Sequence, residues 1–480
     1  MSRHAESQAS AAVIVPVPRP RRSTKSPALW QAAALSVVVA STVSVIVLWL
    51  RGYTLDHTGP GAVFTMIGGA TGLIGAHLLL WQIITLARIP LFERGIGRDV
   101  VVRWHRWLGF AAFGFIGVHV LFVVEGARRA LGRPAEGIGD TSLVEPGVAI
   151  AFVGTALMGL FVVALSFRFI RRRLRYELWH LAHLVAYVAA ALSVPHQLWV
   201  GRTFMNSTAA SVYWWTLWGA AFAATGYWRV LLPLWRTRRY DVRVADVEPH
   251  GTRGILLTMR GRDLGPLRAR GGQFFTWRFG GSPGWTRGHP ISLAYRPIAS
   301  RPGGPIDTWQ IAVRVVGDGT RRMSGLTPGT RVGFEGPYGR VTGDLRHGNR
   351  LLMFGAGAGV GPMMAILAEQ EWAPGQAVLV TRDRVAADQM MRPEIEALVE
   401  RRGLTWHAIY GEPNLSGTGP TWMSADDVAD GAQVIRDWAA DLADTDVFLC
   451  GPPVWMRSIG RDLRAAGVPR RHIHTESFDL

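Results

Sequence analysis

Four histidines lie inside apolar stretches long enough to cross a bilayer: His105 and His119 in one, His183 and His196 in another. An ionisable side chain in hydrocarbon costs roughly 2.5 kcal/mol or more unless it has a partner, and histidine is the commonest metal ligand. The two spacings are 14 and 13 residues. At about 1.5 Å per residue, each pair extends over roughly 20 Å of helix axis. That suits two redox centres stacked within a hydrocarbon core about 30 Å thick. A single such histidine could equally be interfacial, snorkelling to water. Four at matched depths favour ligation.

These side chains need helices to hold them. The composition changes near residue 235: six apolar runs precede it (29–50, 62–87, 104–124, 147–167, 178–199 and 212–234), and strands with glycine-rich turns follow. Each run is near the roughly 20 residues needed to span. Residues 1–28, rich in Pro, Arg, Ser and Ala, read as a disordered N-terminus. The run 29–50 is too long for a signal-peptide core and reads as a retained first helix. Arginines concentrate in the N-terminal segment and in the second-to-third and fourth-to-fifth connections, which assigns those to the cytoplasm. Six spans return the chain to that side, so everything after 235 is expected to be cytoplasmic.

Helices three and five then run in the same direction. His105 and His183 fall at their inner ends, His119 and His196 at their outer ends. A haem with two imidazole ligands needs such a cross-helix pair, and facing helices of a bundle can supply it. Helical phase supports one helix better than the other. Fourteen residues return to within roughly 40° of the starting face, whereas thirteen leave a gap of roughly 140°. Pro195, directly before His196, could re-phase the fifth helix. His180 is a rival to His183 as inner ligand, and His77, alone in the second helix, reads as a packing or propionate-side residue.

From Tyr240 to about Thr342 short strands alternate with turn signals, as in a small antiparallel barrel. Within this stretch stand His289-Pro290-Ile291-Ser292 and Gly317-Asp318-Gly319-Thr320; glycines before a Thr at a helix start expose backbone N–H groups that suit a diphosphate. Near Asn349 the pattern changes. A buried strand runs into Gly355-Ala356-Gly357-Ala358-Gly359-Val360-Gly361-Pro362 and then a helix, the context in which glycines cradle a pyrophosphate. The next strand ends at Arg382-Asp383-Arg384, where arginine can hold a 2′-phosphate. A later strand ends in Cys450-Gly451-Pro452-Pro453, on the side of a doubly wound sheet where ligands bind. As a solitary residue, Cys450 also fits a small buried hydrophobe.

In this order, GQF, HPIS, GDGT, EGPYG, GAGVGP and CGPP resemble the ferredoxin–NADP reductase family, in the version fused to a ferric-reductase-like transmembrane domain. Over residues 29–480 the chain resembles the NADPH oxidase and ferric reductase superfamily. The resemblance implies a multi-domain membrane protein: a six-helix transmembrane haem-binding domain (29–234), an antiparallel β-barrel FAD domain (238–345) and an α/β Rossmann-like NAD(P) domain (349–480). It implies that His289, Pro290, Ile291 and Ser292 line the flavin, Ser292 near the ring and His289 near the diphosphate. Soluble reductases usually have Arg-x-Tyr-Ser here; this chain has the His-Pro form, with Ile291 in place of the aromatic. Gly317 and Thr320 would contact the FAD diphosphate. Gly357, Gly359 and Pro362 would form the dinucleotide turn, with Arg382 and Arg384 on the 2′-phosphate, favouring NADPH over NADH. Cys450 and Gly451 would sit near the nicotinamide, and Phe478 resembles the aromatic that covers the flavin. The implied activity moves electrons from cytoplasmic NADPH through FAD and two b-type haems (His105 with His183, His119 with His196) to an outer acceptor. Dioxygen and ferric iron are the leading acceptors; the short outer connections tilt toward a small one. The expected location is the plasma membrane, multi-pass, with N-terminus and reductase cytoplasmic.

Two other classes compete. A reductase merely anchored by its bundle would feed a partner membrane protein and carry no haem. A transporter would need paired broken helices at mid-membrane; Gly68, Gly69, Gly72 and Gly75 are suggestive, but no matching half-repeat follows them. The net charge of +17 does not mark a nucleic-acid binder, because the basic residues sit between apolar runs rather than along a stripe. Cys450 is the single cysteine, so no intramolecular disulfide forms. No EF-hand loop is present.

Overall fold

The computed structural model describes residues 27–52, 59–131, 173, 176–281, 287–414, 419–426, 429–439 and 441–476. Two compact units emerge, Lys25–Trp235 and one built on Arg236–Leu480. The first is helical: α1 (Pro27–Gly52), α2 (Ala62–Leu86), α3 (Arg98–Leu131), α4 (Tyr176–Val200) and α5 (Thr208–Gly226). Among the described residues, four helices are long and apolar enough to cross a membrane: Leu29–Arg51, Ala62–Leu86, Val100–Ala130 and Leu178–Trp199. The expected fourth span, 147–167, lies outside the described residues. The expected sixth span is divided. Helix α5 starts where Ser207 caps it, accepting from the Ala210 N–H at 3.3 Å, and gives way to a π-helical turn, Tyr227–Leu231, before Leu232–Tyr240. Pro233 removes one donor from the helical ladder just beyond that turn.

Apolar side chains on these helices face outward in number, among them Val39, Leu50, Leu121, Leu181, Val188 and Val212. A patch of that extent needs an apolar surrounding. Inside, helices meet through small residues and a few hydrogen bonds. A Cβ added to Gly68 would come within 2.8 Å of Val123, and one added to Gly75 within 2.9 Å of Ile116, so α2 and α3 approach closely. The Ser44 and Tyr213 hydroxyls lie 2.6 Å apart, the Trp81 indole donates to Ser41 Oγ at 3.0 Å, and that of Trp214 to Gln197 Oε1 at 2.9 Å.

The second unit has two kinds of sheet. Strands β1 (Arg243–Pro249), β2 (Gly254–Arg260) and β5 (Thr308–Arg314) form one antiparallel sheet. Strands β4 (His289–Ser292), β3 (Phe274–Phe279) and β6 (Val332–Tyr338) form another. Single bridges, Arg243 to Arg331 and Leu293 to Ile311, link them. Between the two sheets, Phe275, Trp277, Trp309 and Phe334 are fully enclosed, with the Phe275 and Trp309 rings 4.7 Å apart. Pro290 is tolerated because β4 is an edge strand.

The remaining strands are β7 (Arg350–Ala356), β8 (Ala377–Arg382), β9 (Thr405–Ile409), β10 (Thr445–Cys450) and β11 (Ile473–Glu476). They pair in parallel in the order β11-β10-β7-β8-β9. Counted within this half, that order is 3-2-1-4-5, the doubly wound arrangement. Both faces are covered. Leu351 and Met353 point into one core and Leu352 and Phe354 into the other, as strand alternation demands. The chain reverses direction between β7 and β10, so their carboxyl ends flank the switch point where such sheets bind ligands.

Candidate functional sites

The structure brings the four histidines together in two pairs bridging α3 and α4. The rings of His105 and His183 lie 6.2 Å apart centre to centre, and those of His119 and His196 lie 6.5 Å apart. The planes are steeply inclined in both, at 80° and 71°. A metal–imidazole bond is about 2.0 Å and the ring centre lies about 1.1 Å further on, so two imidazoles sharing one ion have centres about 6.2 Å apart. Both pairs fit that span. The thirteen-residue spacing on α4 is accommodated, and Pro195 inside that helix is the residue able to re-phase its outer part. It is the His183 ring that stands 6.2 Å from His105.

Two backbone carbonyls prepare the α3 histidines. His119 Nδ1 is 2.7 Å from Gly68 O, and His105 Nδ1 is 3.0 Å from Gln82 O. A carbonyl only accepts, so Nδ1 carries the hydrogen and Nε2 keeps its lone pair for a metal. This is the outer-sphere arrangement usual for ligating imidazoles. Gly72 completes it: a Cβ there would stand 2.5 Å from His119 Nδ1. On α4, His196 Nδ1 is buried without a hydrogen-bond partner. A cavity of about 30 Å³, lined by His105, His183 and mainly apolar residues including Leu79, Phe113 and Ala186, adjoins the first pair. No group of three or more His, Cys, Asp or Glu able to hold a metal occurs among the described residues. Two imidazoles alone do not satisfy a bare ion; they would suit an iron whose remaining positions a macrocycle fills. His77 belongs to neither pair: its Nε2 is 3.4 Å from Thr42 Oγ1.

In the second unit, strand pairing and turns assemble what the sequence scatters. Register sets Phe274 opposite Ser292, Phe275 opposite Ile291 and Thr276 opposite Pro290. The Ser292 and Thr276 hydroxyls are buried and have no hydrogen-bond partner. Buried hydroxyls in that state are places for a ligand's polar edge. Ile291 packs on the aromatic core, and its carbonyl accepts from the Trp277 indole at 3.0 Å. His289 meets the glycine turn: a Cβ on Gly319 would come 2.9 Å from its Cε1. Burial first, then the nearby Arg287 and Arg278, push the His289 imidazole down to about 4, so it is neutral at pH 7. Thr320 Oγ1 accepts from the N–H groups of Val316 and Gly317 at 3.0 and 3.1 Å and donates to Gly317 O. It therefore shapes the turn, and its hydroxyl is already committed.

At the switch point Gly357 adopts φ +54°, a conformation that favours glycine, beneath the Arg314 guanidinium. A Cβ on Gly359 would strike Cys450 O at 2.1 Å, which ties the glycine turn to the end of β10. Pro362 sits in the first turn of the next helix (Val360–Glu369), where its missing N–H leaves no gap. Cys450 is fully buried, and burial pushes its thiol up, so it stays protonated. Gly451 follows it with no room for a side chain, a Cβ there meeting the Trp455 ring at 2.8 Å. The two arginines differ. Arg382 is buried and donates to Asp383 O and, at 2.7 Å, to Gly411 O. Arg384 is exposed and 3.5 Å from Glu412. Only Arg384 turns its cation outward. Phe478 lies outside the described residues.

Several participants were not foreseen from the sequence. Arg314, at the end of β5, bonds Asp383 and, at 3.0 Å, Asp388, joining the antiparallel half to the parallel half. Burial raises the Asp383 carboxyl, Arg314 offsetting this in part. Tyr295 donates to Glu394 at 2.6 Å, and His250 lies 3.3 Å from the same carboxylate. The carbonyls of Gly68 and Gln82 carry no sequence signature. Trp179, four residues before His183, does carry one, the helical i, i+4 spacing.

Comparison with known proteins follows this division. Residues 71–194 match the ferric reductase like transmembrane component family. The 3-ketosteroid-9-alpha-monooxygenase ferredoxin reductase component of Rhodococcus rhodochrous is 25% identical over 253 residues, 48% of this chain and 67% of that one. The propane 2-monooxygenase reductase component of Gordonia sp. (strain TY-5) is 29% identical over 159 residues, 32% of this chain and 44% of that one. Less than half of the Gordonia relative is thus spanned. A crystal structure of a ferredoxin NADP+ reductase from Neisseria gonorrhoeae, with bound FAD and NADP, is similar with a TM-score of 0.38 and 14% identity, over 50% of this chain and 98% of that one.

Proposed function

From a ferric-reductase-like transmembrane component joined in one chain to a ferredoxin–NADP reductase-like module, we propose a transmembrane oxidoreductase that carries electrons from NADPH to an acceptor across the bilayer. The observation that carries this reading is the pair of histidine pairs, 6.2 and 6.5 Å between ring centres, bridging the same two helices at two levels. When bound, FAD would supply two-electron exchange with a nicotinamide and one-electron exchange with iron, and two b-type haems would supply the route through hydrocarbon. The protein's part is to hold and insulate. His105 and His183 would hold the inner iron, and His119 and His196 the outer. Gln82 and Gly68 carbonyls fix the tautomer of the α3 ligands, and Gly72 leaves room for His119. Ser292 and Thr276 offer hydroxyls to the flavin ring, and His289 with the Gly317–Thr320 turn faces its diphosphate. Gly357, Gly359 and Pro362 form the nicotinamide dinucleotide turn, with Cys450 and Gly451 behind it. Arg384, exposed and paired only at the surface with Glu412, rather than the buried Arg382, is the cation that would meet a 2′-phosphate. The domain limits 29–234, 238–345 and 349–480, six spans, a closed flavin barrel, a plasma-membrane location and a cytoplasmic reductase belong to the same reading, as do dioxygen or ferric iron as acceptors.

The test is a reduced-minus-oxidised spectrum of the purified full-length protein, with haem and flavin quantified per chain. Two b-type haems and one FAD are expected. His119→Ala and His196→Ala should each leave one haem and intact NADPH-to-flavin reduction. Flavin with no b-type bands, after growth with ample iron, would instead favour a membrane-anchored flavin reductase serving a partner protein. Dismutase-inhibitable dye reduction, compared with anaerobic ferrous-chelate formation, separates the two acceptors.

A further inference from the structure

We propose that Trp179 is a positioning residue for the inner histidine pair, its indole setting the plane of the His183 imidazole. This rests on the reading of His105 and His183 as an iron-binding pair. The indole and imidazole lie face to face, 5.2 Å between centres and only 11° from parallel. The cross-helix contacts within the two histidine pairs are by contrast steep, at 80° and 71°. The spacing is one helical turn, so the side chain of Trp179 rises on the same face of α4 as that of His183. It stands on the far side of His183 from the His119–His196 pair, thirteen residues further along the helix.

Each ligand of the inner pair thus has an orienting contact. His105 is aimed by a hydrogen bond from Nδ1 to Gln82 O, which fixes both tautomer and plane. His183 is held flat against an indole, a contact that fixes the plane without specifying charge. An imidazole ligand can turn about its metal–nitrogen bond, and a large rigid ring on one face restricts that rotation to the stacked orientation. The 80° between the two imidazole planes is then a built property of the site. In a low-spin ferric haem with two imidazole ligands, the angle between ligand planes governs the spread of the electron-paramagnetic-resonance g values. The consequence is visible in the resting protein without turnover.

The experiment compares wild type, Trp179→Leu and Trp179→Phe as full-length protein, reading haem content and the low-spin ferric signals of both haems. Trp179→Leu should keep two haems per chain, broaden or shift one low-spin signal and leave the other unchanged. It should also move the midpoint potential of that one haem. Trp179→Phe retains a ring over His183 and should lie between wild type and Leu. If Trp179→Leu cannot be recovered folded, a change in the same single signal in Trp179→Phe supports the proposal. Signals identical to wild type in both variants, or in Phe alone where Leu is not recovered, overturn it. So does an equal change in both haems. A wild-type protein without haem fails the underlying reading instead, a result told apart by its lack of any low-spin signal.

Discussion

Under the proposed reading, the bundle and the reductase-like unit would prepare for cofactors in different ways. In the bundle, the reactive groups are anchored by backbone: His119 by Gly68 O and His105 by Gln82 O, each leaving the distal nitrogen free. In the reductase-like unit, the charged groups are largely absorbed by one another, Arg314 by Asp383 and Asp388, Arg382 by two carbonyls. There, the buried atoms without a hydrogen-bond partner include two neutral hydroxyls on facing strands, Ser292 and Thr276. Under the proposed reading, the candidate cofactor contacts are groups that the protein leaves unpartnered. In the bundle the candidate contacts are imidazole lone pairs, which cost less in a low-dielectric surrounding than a charge would. At a cleft that must take an anionic dinucleotide, they are a polar edge backed by glycine turns.

The sharpest way to break this comparison is Gly72→Val. A Cβ at that position would stand 2.5 Å from His119 Nδ1, where α2 and α3 approach closely. The expected result is loss of the outer haem, two per chain falling to one, with flavin content unchanged. Pyridine haemochrome and flavin fluorescence check it. Two haems in the variant would show that the helices can separate and that Gly72 is not what admits the histidine.

Next in size is Arg314→Ala. Removing the cation leaves Asp383 and Asp388 buried together, side chains 1% and 6% exposed, with like charges facing. Breaking a buried pair in this way costs about 3–5 kcal/mol. Denaturant unfolding followed by reductase-unit tryptophan fluorescence should show that loss, while the haem spectrum stays unchanged. Arg314→Ala with Asp383→Asn and Asp388→Asn should recover most of it, because the uncompensated charge is then gone. A loss spread equally over both units would mean that they are not independent in stability.

How much of this was legible beforehand also differs between the two units. Apolar run length and histidine spacing read directly onto α2, α3 and α4, because a helix turns periodicity into position. The doubly wound order was legible too, from a buried strand, a glycine turn and a helix in sequence. What stayed hidden depends on contacts made by backbone or across long separations. Nothing in the sequence says that Gly68 O will meet His119, or that Arg314 will reach Asp383 across 69 residues. The phase argument faulted the 13-residue pair, yet His119 and His196 meet, since an ideal straight helix is a poor rule where Pro195 intervenes. Arg382 and Arg384 looked equivalent; Arg382 is the last, buried residue of β8, whereas Arg384 lies beyond the strand end and is exposed.

A smaller effect is expected for Ser292→Ala. The hydroxyl is buried without a partner, so its removal should leave the flavin-free protein as stable or slightly more so. If it bonds the flavin, the variant loses one hydrogen bond, about 1 kcal/mol or roughly fivefold in FAD affinity. Titration of flavin into stripped protein measures it. Unchanged affinity would transfer the contact to Thr276 or remove both hydroxyls from the site.

The smallest effect is a slope with pH, and its sign follows from His289. In the flavin-free protein burial holds this imidazole down to about 4, against an ordinary value of 6.5. It is therefore uncharged through the neutral range and takes up a proton only in acid. A diphosphate alongside would stabilise the imidazolium and raise that value, so the complex binds more protons than the free protein. Linkage then requires affinity to rise as pH falls, and to level off above pH 7, where neither state is protonated. If the value in the complex returns to its ordinary one, FAD affinity should increase about fourfold between pH 7.5 and 6. The flavin-free fold responds oppositely: with the folded value below the unfolded one, His289 costs stability as pH falls from 6.5 toward 4. His289→Asn should remove both trends together. A variant that flattens the stability profile but leaves the FAD slope would keep His289 as a buried core histidine and move the diphosphate contact to another group.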